Sequence, residues 1–435
     1  MLFRSRLQYY SRRVKFLILE DDAEVHPTTY FRIAQHQSSA LFPSLRHLLY
    51  DLGDPSYPDP HIFFFQSPLL DSLEILNIGG FEHTIVGPFL ASLSSQVLSH
   101  ISLSCGRMPR DILKKSIVHW HFKQLRSLEL TDAILLTDFT ILEVIGSLPS
   151  LTHFSLTALD FVSHPTEKSP EISTRQSGGS KYFDALESLY VMGTIFLIQN
   201  LLGFIDSLCL KSIEIYPLID DIRHEHELEV ILTPSMTIVA SKWSQSLKNL
   251  AIRRTRIDSD RSVPIYQCLM PLTGLHEMES FHLEYWTMKN MDDVMRRLVM
   301  SWPKLRTLIV NVCQRPHDQP LISLSTLWII VENCPELRHL EIPLDTSTIP
   351  PSDTSNSKSL RHNLEVLTAW GHKDLDEPPS DTITTQEMLG YQIQVARYLD
   401  LIFPFLKSIE VEFDDVTWSG IPVLVKLCQD ARRVN

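Results

Sequence analysis

The chain repeats a short apolar pattern along its whole length. The pattern is Leu-x-x-Leu-x-Leu, with other apolar residues allowed at the same positions, as in Leu125-Arg-Ser-Leu128-Glu-Leu130. Fourteen copies can be placed, and their first positions are Val14, Leu45, Leu73, Leu98, Leu125, Leu151, Leu186, Leu210, Leu247, Met278, Leu305, Leu337, Leu364 and Leu406. The thirteen intervals run from residue 14 to residue 406, so one copy recurs about every 30 residues. A period of this length indicates a repeat architecture.

Each copy predicts one short strand, followed in most copies by a helix. In the Leu-x-Leu that ends a copy, such as Leu128-Glu129-Leu130, apolar and polar side chains alternate, as on a strand with one buried face. Between the strands, apolar residues recur at helical spacing. Three such stripes are Met291, Val294, Met295, Leu298, Val299 and Trp302; Leu321, Leu324, Trp328 and Val331; and Met388, Tyr391, Val395, Tyr398 and Ile402.

The first of these helices also carries polar signals at its start. Asn290 is in position to cap it. Asp292 and Asp293 lie in the first turn, where they complement the helix dipole, and each precedes an arginine by four residues, at Arg296 and Arg297. We therefore expect a side-chain cap and two ion pairs along this helix.

Proline separates helix from strand in five copies, two residues before the first apolar position. These residues are Pro43, Pro149, Pro303, Pro335 and Pro404. Proline cannot continue a helix, and it favours an extended backbone in the residue before it. Each of these prolines is therefore predicted to end one helix and lead into the next strand.

A single strand and helix cannot bury their apolar faces alone, whereas stacked copies bury a continuous core. The pattern thus predicts an α/β leucine-rich-repeat solenoid (a horseshoe), with parallel strands on the concave face, helices on the convex face and about 14 irregular repeats. The alternative is an ordinary α/β protein whose buried strands are rich in leucine. We expect one domain over residues 1–435, with flexible loop insertions at 163–181, 345–358 and 372–386, which are polar and rich in turn-forming residues.

The composition narrows the functional class. The 435 residues include 44% hydrophobic residues, which is typical of a globular protein. The formal charge of −13 argues against general nucleic-acid binding, which needs a basic surface. Six cysteines, no two of them in a Cys-x-x-Cys, favour a reducing compartment over a disulfide framework or a zinc ribbon.

The sequence shows neither a secretory signal nor a membrane-spanning stretch, so we expect the protein in the cytoplasm or the nucleus. The first residues contain no apolar run of the secretory type, although their Arg- and Ser-rich character keeps a mitochondrial presequence open as an alternative. The most apolar stretch, from Thr194 to Leu210, contains Gln199, Asn200 and Asp206, so no membrane partner is expected.

Several segments resemble a known protein family. Cys334-Pro335-Glu336-Leu337-Arg338-His339-Leu340-Glu341-Ile342 resembles the Cys-Pro-x-Leu-x-x-Leu-x-Leu unit of F-box/leucine-rich-repeat proteins. Tyr9 to Leu17 and Leu41 to Leu48 are similar to the segments that follow the F-box in a large fungal group of such proteins. The resemblance implies that the repeats bind a substrate protein for a cullin-type (SCF-type) ubiquitin ligase, whose adaptor binds the F-box. Only 13 residues precede Val14, without a Leu-Pro-x-Glu-like start, so we expect the F-box itself not to lie in this chain.

The repeat register predicts a binding surface. The second, fourth and sixth positions after each first apolar residue should line the concave face. The acids at these positions are Glu20, Asp51, Glu129, Glu214, Glu284, Glu341, Glu410 and Glu412, against the single base Arg253, which places a formal charge of −7 on this face. The same positions hold the histidines His47, His100, His153, His282 and His339 and the aromatic residues Tyr190, Tyr216 and Trp370.

Two interpretations of this surface stay open. One is that it binds a basic peptide or protein surface by electrostatic attraction, with the aromatic residues as anchors. The other is that acids and histidines are simply tolerated on solvated strand faces.

The chain also contains a few groups that could serve catalysis or metal binding. His224-Glu-His226 and His119-Trp-His121 could each supply two metal ligands, but the spacing fixes no third ligand. Asp220-Asp221 and Glu20-Asp21-Asp22 are interpreted as loop acids. The chain contains no Gly-x-Ser-x-Gly, no phosphate loop and no Gly-x-Gly-x-x-Gly. We therefore expect no enzyme and no cofactor.

The sequence thus predicts a protein-interaction module, and the resemblance makes it a substrate-recognition subunit of a ubiquitin ligase. One alternative is an F-box-less scaffold or regulator without ligase coupling. A remote alternative is a metal-dependent hydrolase that uses His224 and His226.

Overall fold

A computed structural model provides the structure of the chain. It describes residues 6, 9–20, 32, 40–52, 60–78, 83–93, 97–105, 122–132, 139–158, 181–218, 225–254, 266–286, 290–312, 321–350, 362–370, 385–411 and 418–434. The chain divides into two compact units, Met1–Leu210 and Lys211–Asn435.

The first unit is built on seven parallel strands that pair in chain order. They are β1 (Phe16–Leu19), β2 (His47–Asp51), β3 (Ser72–Leu76), β4 (His100–Ser104), β5 (Ser127–Thr131), β6 (His153–Thr157) and β7 (Ser188–Thr194). The described helices are α1 (His83–Leu93), α2 (Phe139–Gly146) and α3 (Ile195–Phe204), and Pro60–Phe65 forms a 3₁₀ turn.

The second unit continues the same pattern. Its strands are β8 (Ser212–Leu218), β9 (Asn249–Arg253), β10 (Ser280–Trp286), β11 (Thr307–Val312), β12 (Ile322–Ser323), β13 (His339–Asp345), β14 (Val366–Trp370) and β15 (Ser408–Val411). All pair in parallel and in chain order except the two-residue β12, which lies beside β13 only. The helices are α4 (Glu225–Trp243), α5 (Tyr266–Leu269), α6 (Met291–Ser301), α7 (Leu324–Asn333), α8 (Thr385–Ile402) and α9 (Ile421–Val434), with a 3₁₀ turn at Met270–Gly274.

These two stacks of parallel strands and intervening helices confirm the α/β leucine-rich-repeat solenoid class. The expectation of one domain over 1–435 stays a prediction. Of the predicted loops, only 181, 345–350 and 385–386 are described; Asp345 ends β13 and Gln386 already lies in α8. The remaining residues of 163–181, 345–358 and 372–386 lie outside the described part of the chain.

Alternation along the strands divides core from surface. In β5, Leu128 and Leu130 are buried, whereas Ser127, Glu129 and Thr131 between and beside them are partly exposed. Burying one leucine side chain stabilises a fold by about 1.5–3 kcal/mol. The same pair of buried positions recurs from strand to strand, so stacking the repeats produces the continuous apolar core.

The repeat frame is wrong in one of the fourteen copies. Strand pairing places Leu73 opposite Leu48 and Ile75 opposite Tyr50, so the third copy begins at Leu70 and not at Leu73. Leu70, Leu73 and Ile75 are all fully buried. The sequence Leu-Asp-Ser-Leu-Glu-Ile-Leu-Asn-Ile satisfies the pattern in two frames three residues apart, and pairing with β2 and β4 selects the first.

Helix α6 confirms the predicted apolar stripe, but two polar residues at its start make contacts other than those predicted. Asn290 precedes the helix in a left-handed conformation (φ 57°) and its side chain makes no capping hydrogen bond, so the predicted cap is wrong. Arg297 and Asp293 form the expected ion pair, 3.1 Å apart. Asp292 accepts hydrogen bonds from the Ser323 backbone N–H (2.9 Å) and the Thr326 hydroxyl (2.8 Å), and thereby links α6 to the start of α7.

The prolines lie where the pattern places them. Helices α2, α6, α7 and α8 each end two or three residues before one of the predicted prolines. In the copy that begins with Cys334-Pro335, the buried Cys334 Sγ lies 3.6 Å from the carbonyl oxygens of Val299 and Trp302, and its single S–H donates to one of them at a time. This cysteine therefore supplies a weak donor to the end of the preceding repeat's helix.

Candidate binding face

Each strand presents side chains on the surface opposite to its buried leucines, and we call this surface the open face. In the first unit it comprises Phe16, Ile18, Glu20, His47, Leu49, Asp51, Ser72, Glu74, Leu76, His100, Ser102, Ser104, Ser127, Glu129, Thr131, His153, Ser155, Thr157, Ser188, Tyr190 and Met192. In the second unit it comprises Ser212, Glu214, Tyr216, Asn249, Ala251, Arg253, Ser280, His282, Glu284, Thr307, Ile309, Asn311, His339, Glu341, Pro343, Val366, Thr368, Ser408 and Glu410.

The structure places nearly all of the predicted site residues on this face. They are Glu129, Glu214, Glu284, Glu341, Glu410, His47, His100, His153, His339, Tyr190 and Tyr216. Glu412 lies outside the described residues, and for Trp370 only the backbone is described. Because the register locks equivalent positions together, these side chains form three rows that cross the strands within each unit. Their role in binding stays a prediction.

Sequence reasoning missed one acid of the open face, Glu74. The corrected frame exchanges positions 75, 77 and 79 for Ser72, Glu74 and Leu76. With Glu74 the predicted surface holds nine acids and one base, a formal charge of −8. Pairing with β2 and β4 selects this frame, and the partly exposed Leu76, which the other frame would place in the core, agrees with it.

In the second unit, one arginine joins two of the predicted acids. The guanidinium of Arg253 on β9 lies 3.2 Å from a carboxylate oxygen of Glu214 on β8 and 3.1 Å from one of Glu284 on β10. Arg253 also donates to the Tyr216 hydroxyl (2.9 Å), which in turn donates to Glu214 (3.0 Å). His282 accompanies the group, with its Nδ1 4.0 Å from Glu284.

Partial burial shifts the pKa values of the residues around Arg253, and we call Glu214, Tyr216, Arg253, His282 and Glu284 the Arg253 cluster. Burial raises the pKa of the Glu284 carboxyl, an effect that the charge of Arg253 opposes. Burial raises the pKa of the Tyr216 hydroxyl to about 12, although its hydrogen bond with Arg253 works in the other direction. Burial and the charge of Arg253 lower the pKa of His282, which favours the neutral imidazole. The cluster therefore carries two carboxylates and one guanidinium.

These contacts change the expected role of Glu214 and Glu284. Both carboxylates are already engaged by a cation of the same chain, which occupies the position that a partner's basic side chain would need. We infer that this part of the face is a preformed polar network, in which an incoming charge must compete with Arg253.

The acids of the first unit are in a different state. Among the described residues, neither Glu74 nor Glu129 forms an ion pair or a side-chain hydrogen bond, and both side chains are partly exposed. Each is available to a cation from outside. The unpaired negative charge of the open face thus includes Glu74 and Glu129 on β3 and β5.

Removing Arg253 tests the energetic weight of the cluster. We expect Arg253→Gln to lower the free energy of unfolding by about 1–2 kcal/mol, because two partly buried carboxylates lose their charged donor. The measurement is urea denaturation followed by circular dichroism. Arg297→Gln is the matched control, since its ion pair with Asp293 is exposed and should contribute under about 0.5 kcal/mol. Equal effects of the two substitutions would show that the cluster is an ordinary surface contact.

Other candidate chemistry lies mostly outside the described residues. This holds for His119, His121, His224 and the paired acids Asp220-Asp221, while His226 is described only as part of the α4 backbone. Within the described ranges, no three His, Cys, Asp or Glu residues come together as a metal site. No helix of the described part is long and apolar enough to span a membrane.

Two similar solved structures share little sequence with this chain. No protein-family model and no curated protein matches the chain. One similar solved structure is the yeast complex of Rad7 and Elc1, at 13% identity and a TM-score of 0.38, over 87% of this chain and 92% of that chain. Another is a protein of Bacteroides fragilis, at 11% identity and a TM-score of 0.32, over 66% of this chain and 79% of that chain.

Proposed function

We propose that this protein is a protein-interaction module that binds a partner protein on its open face. The observation that carries the proposal is the unpaired state of Glu74 and Glu129 within an ordered row of polar side chains. The paired strands fix the backbone positions of these groups before binding, so no backbone has to be ordered there on association. Their charge favours a partner with a basic surface.

The family resemblance extends this proposal to a cellular role. The Cys334-to-Ile342 segment and the Tyr9-to-Leu17 segment support a substrate-recognition subunit of a ubiquitin ligase. The alternative is a scaffold or regulator without ligase coupling. Co-purification separates the two: a substrate receptor retains the ligase adaptor, directly or through an F-box protein, and a scaffold does not.

Charge reversal on the open face tests the interaction role. We expect Glu74→Lys/Glu129→Lys to lose the proteins that the wild-type chain captures from a lysate at moderate salt, because two attractive contacts become repulsive. The control is Asp184→Lys/Glu332→Lys, which makes the same change in net charge at two exposed positions away from the open face. Circular dichroism melts confirm that both variants fold. Unchanged capture by the open-face variant, or equal loss in the control, would contradict the proposal.

A further inference from the structure

Four consecutive strands of the first unit carry an alternating polar pattern on the open face. Strands β3 and β5 present serine and glutamate, as Ser72 with Glu74 and Ser127 with Glu129. Strands β4 and β6 present histidine and serine, as His100 with Ser102 and His153 with Ser155. Parallel pairing sets Ser72, His100, Ser127 and His153 side by side in one row, and Glu74, Ser102, Glu129 and Ser155 in the next.

The alternation continues beyond these four strands. His47 on β2 pairs with Ser72 and extends the histidine positions to every second strand. Tyr190 on β7 pairs with Ser155 and follows Glu74 and Glu129 at the same two-strand interval. Glutamate, glutamate and tyrosine can each attract a cation, the tyrosine through its ring. One row thus offers three cation sites at equal intervals, and the other row offers three imidazoles.

The distance between successive cation sites, which lie on every second strand, favours one backbone conformation of the ligand. Neighbouring strands lie about 4.8 Å apart, so sites on every second strand are about 9.6 Å apart. A polyproline II helix has three residues per turn and a rise of 3.1 Å per residue, which repeats every 9.3 Å or so. A ligand in this conformation therefore brings every third side chain within roughly 0.3 Å of the next site.

Other regular conformations do not keep this step. In an extended strand, side chains on one side recur every 6.8 Å or so. In an α-helix, the residue seven positions along lies about 10.5 Å away, which drifts from the sites by about 1 Å at each step. A polyproline II segment also leaves its carbonyl groups without internal hydrogen bonds. The row that contains His100 and His153 also contains Ser72 and Ser127. The serine hydroxyls and imidazole N–H groups of this row are donors for those carbonyls.

We propose that the open face of the first unit binds an extended basic segment of a partner protein, in the polyproline II conformation, with lysine or arginine at every third residue. The segment runs across the strands, so that successive basic side chains meet Glu74, Glu129 and Tyr190. This inference rests on the proposed interaction function and specifies the kind of partner. The second unit lacks such a site at β8 to β10, because Arg253 already occupies the space between Glu214 and Glu284.

Two synthetic peptides of equal composition test the proposal. The first is a fluorescent fifteen-residue repeat of Lys-Pro-Pro, and the second distributes the same five lysines and ten prolines at alternating intervals of two and four residues. Both adopt the polyproline II conformation, so they differ only in the spacing of the lysines along the chain. Fluorescence anisotropy at low salt should show that the three-residue repeat binds the full-length protein at least tenfold more tightly.

Substitutions then locate the bound peptide. Glu74→Gln/Glu129→Gln should weaken binding of the three-residue repeat at least tenfold. Asp184→Asn/Glu332→Gln removes the same charge elsewhere and should change it less than twofold. Both open-face glutamates are partly exposed and unpaired among the described residues, so their neutral variants are expected to fold, which melting curves verify.

Each outcome is decisive for the inference. Equal affinity for the two peptides overturns the three-residue period. If that equal binding also depends on Glu74 and Glu129, the interaction function of the face stands without the period. If neither peptide binds while lysate capture still depends on these residues, the partner is of another kind and the inference is wrong. If neither the peptides nor captured proteins respond to the substitutions, the proposed function fails as well.

Discussion

Replacing Ile75 by aspartate is expected to unfold the first unit, whereas replacing its neighbour Glu74 by lysine should leave the fold intact. Ile75 is fully buried on β3, which pairs with β2 on one side and with β4 on the other. A carboxylate at this position would have no partner. An unpaired buried charge costs several kcal/mol, and the lost apolar contacts add roughly 2 kcal/mol more. This sum is comparable to the whole stability of a typical domain.

The contrast between positions 74 and 75 tests the repeat frame. Circular dichroism and thermal melting of both variants give the result. If the third copy began at Leu73, position 75 would lie on the open face, and position 74 would follow the first leucine as the exposed Arg46 follows Leu45 in the second copy. Both substitutions would then be tolerated. Here only the lysine is expected to be tolerated, because strand pairing sets Glu74 between Leu49 and Ser102 on the open face, while Ile75 is buried.

Replacing Trp302 by alanine is expected to cost about 3–5 kcal/mol of stability in the second unit, because a large buried side chain leaves a cavity. The Trp302 ring is fully buried, with its centroid 4.9 Å from that of Phe281. Its indole N–H donates to the Leu272 carbonyl at 3.1 Å, thirty residues earlier in the chain. The side chain thus joins two successive repeats through both packing and a hydrogen bond.

Trp302→Phe separates the two contributions. Phenylalanine keeps much of the packing and loses the hydrogen bond, so we expect a cost of about 1–2 kcal/mol. Urea denaturation followed by circular dichroism measures both variants without depending on tryptophan fluorescence. A phenylalanine variant as unstable as the alanine variant, or an alanine variant within 1 kcal/mol or so of wild type, would contradict this account.

The repeat fold was predictable from local sequence because its signal is periodic. Leu128 and Leu130 identify their strand by alternation alone, and the stripe from Met291 to Trp302 identifies its helix. The frame failed only where Leu70, Leu73 and Leu76 follow one another at intervals of three and allow two overlapping matches. The pairing of neighbouring strands resolves that ambiguity, and it is a long-range property.

The state of the candidate site was less predictable than its location. The register placed Glu129, Glu214 and Glu284 on one face from spacing alone. It could not distinguish the unpaired Glu129 from the two acids held by Arg253, because that contact joins side chains on three strands over seventy residues. Asn290 illustrates the same limit, since it adopts a left-handed backbone and its side chain makes no capping hydrogen bond.

The central claim is that the open face is the binding surface, and site-specific photo-crosslinking tests it most directly. A photoreactive amino acid is placed at Ser127, between His100 and His153 on the open face, or at the exposed Phe196 of helix α3. The two proteins are irradiated in the same lysate, and the covalent adducts are separated by mass. We predict salt-sensitive adducts from position 127 that the Glu74→Lys/Glu129→Lys variant loses, with none of the same mass from position 196. Adducts from position 196 instead, or the same adducts from both positions, would contradict the account.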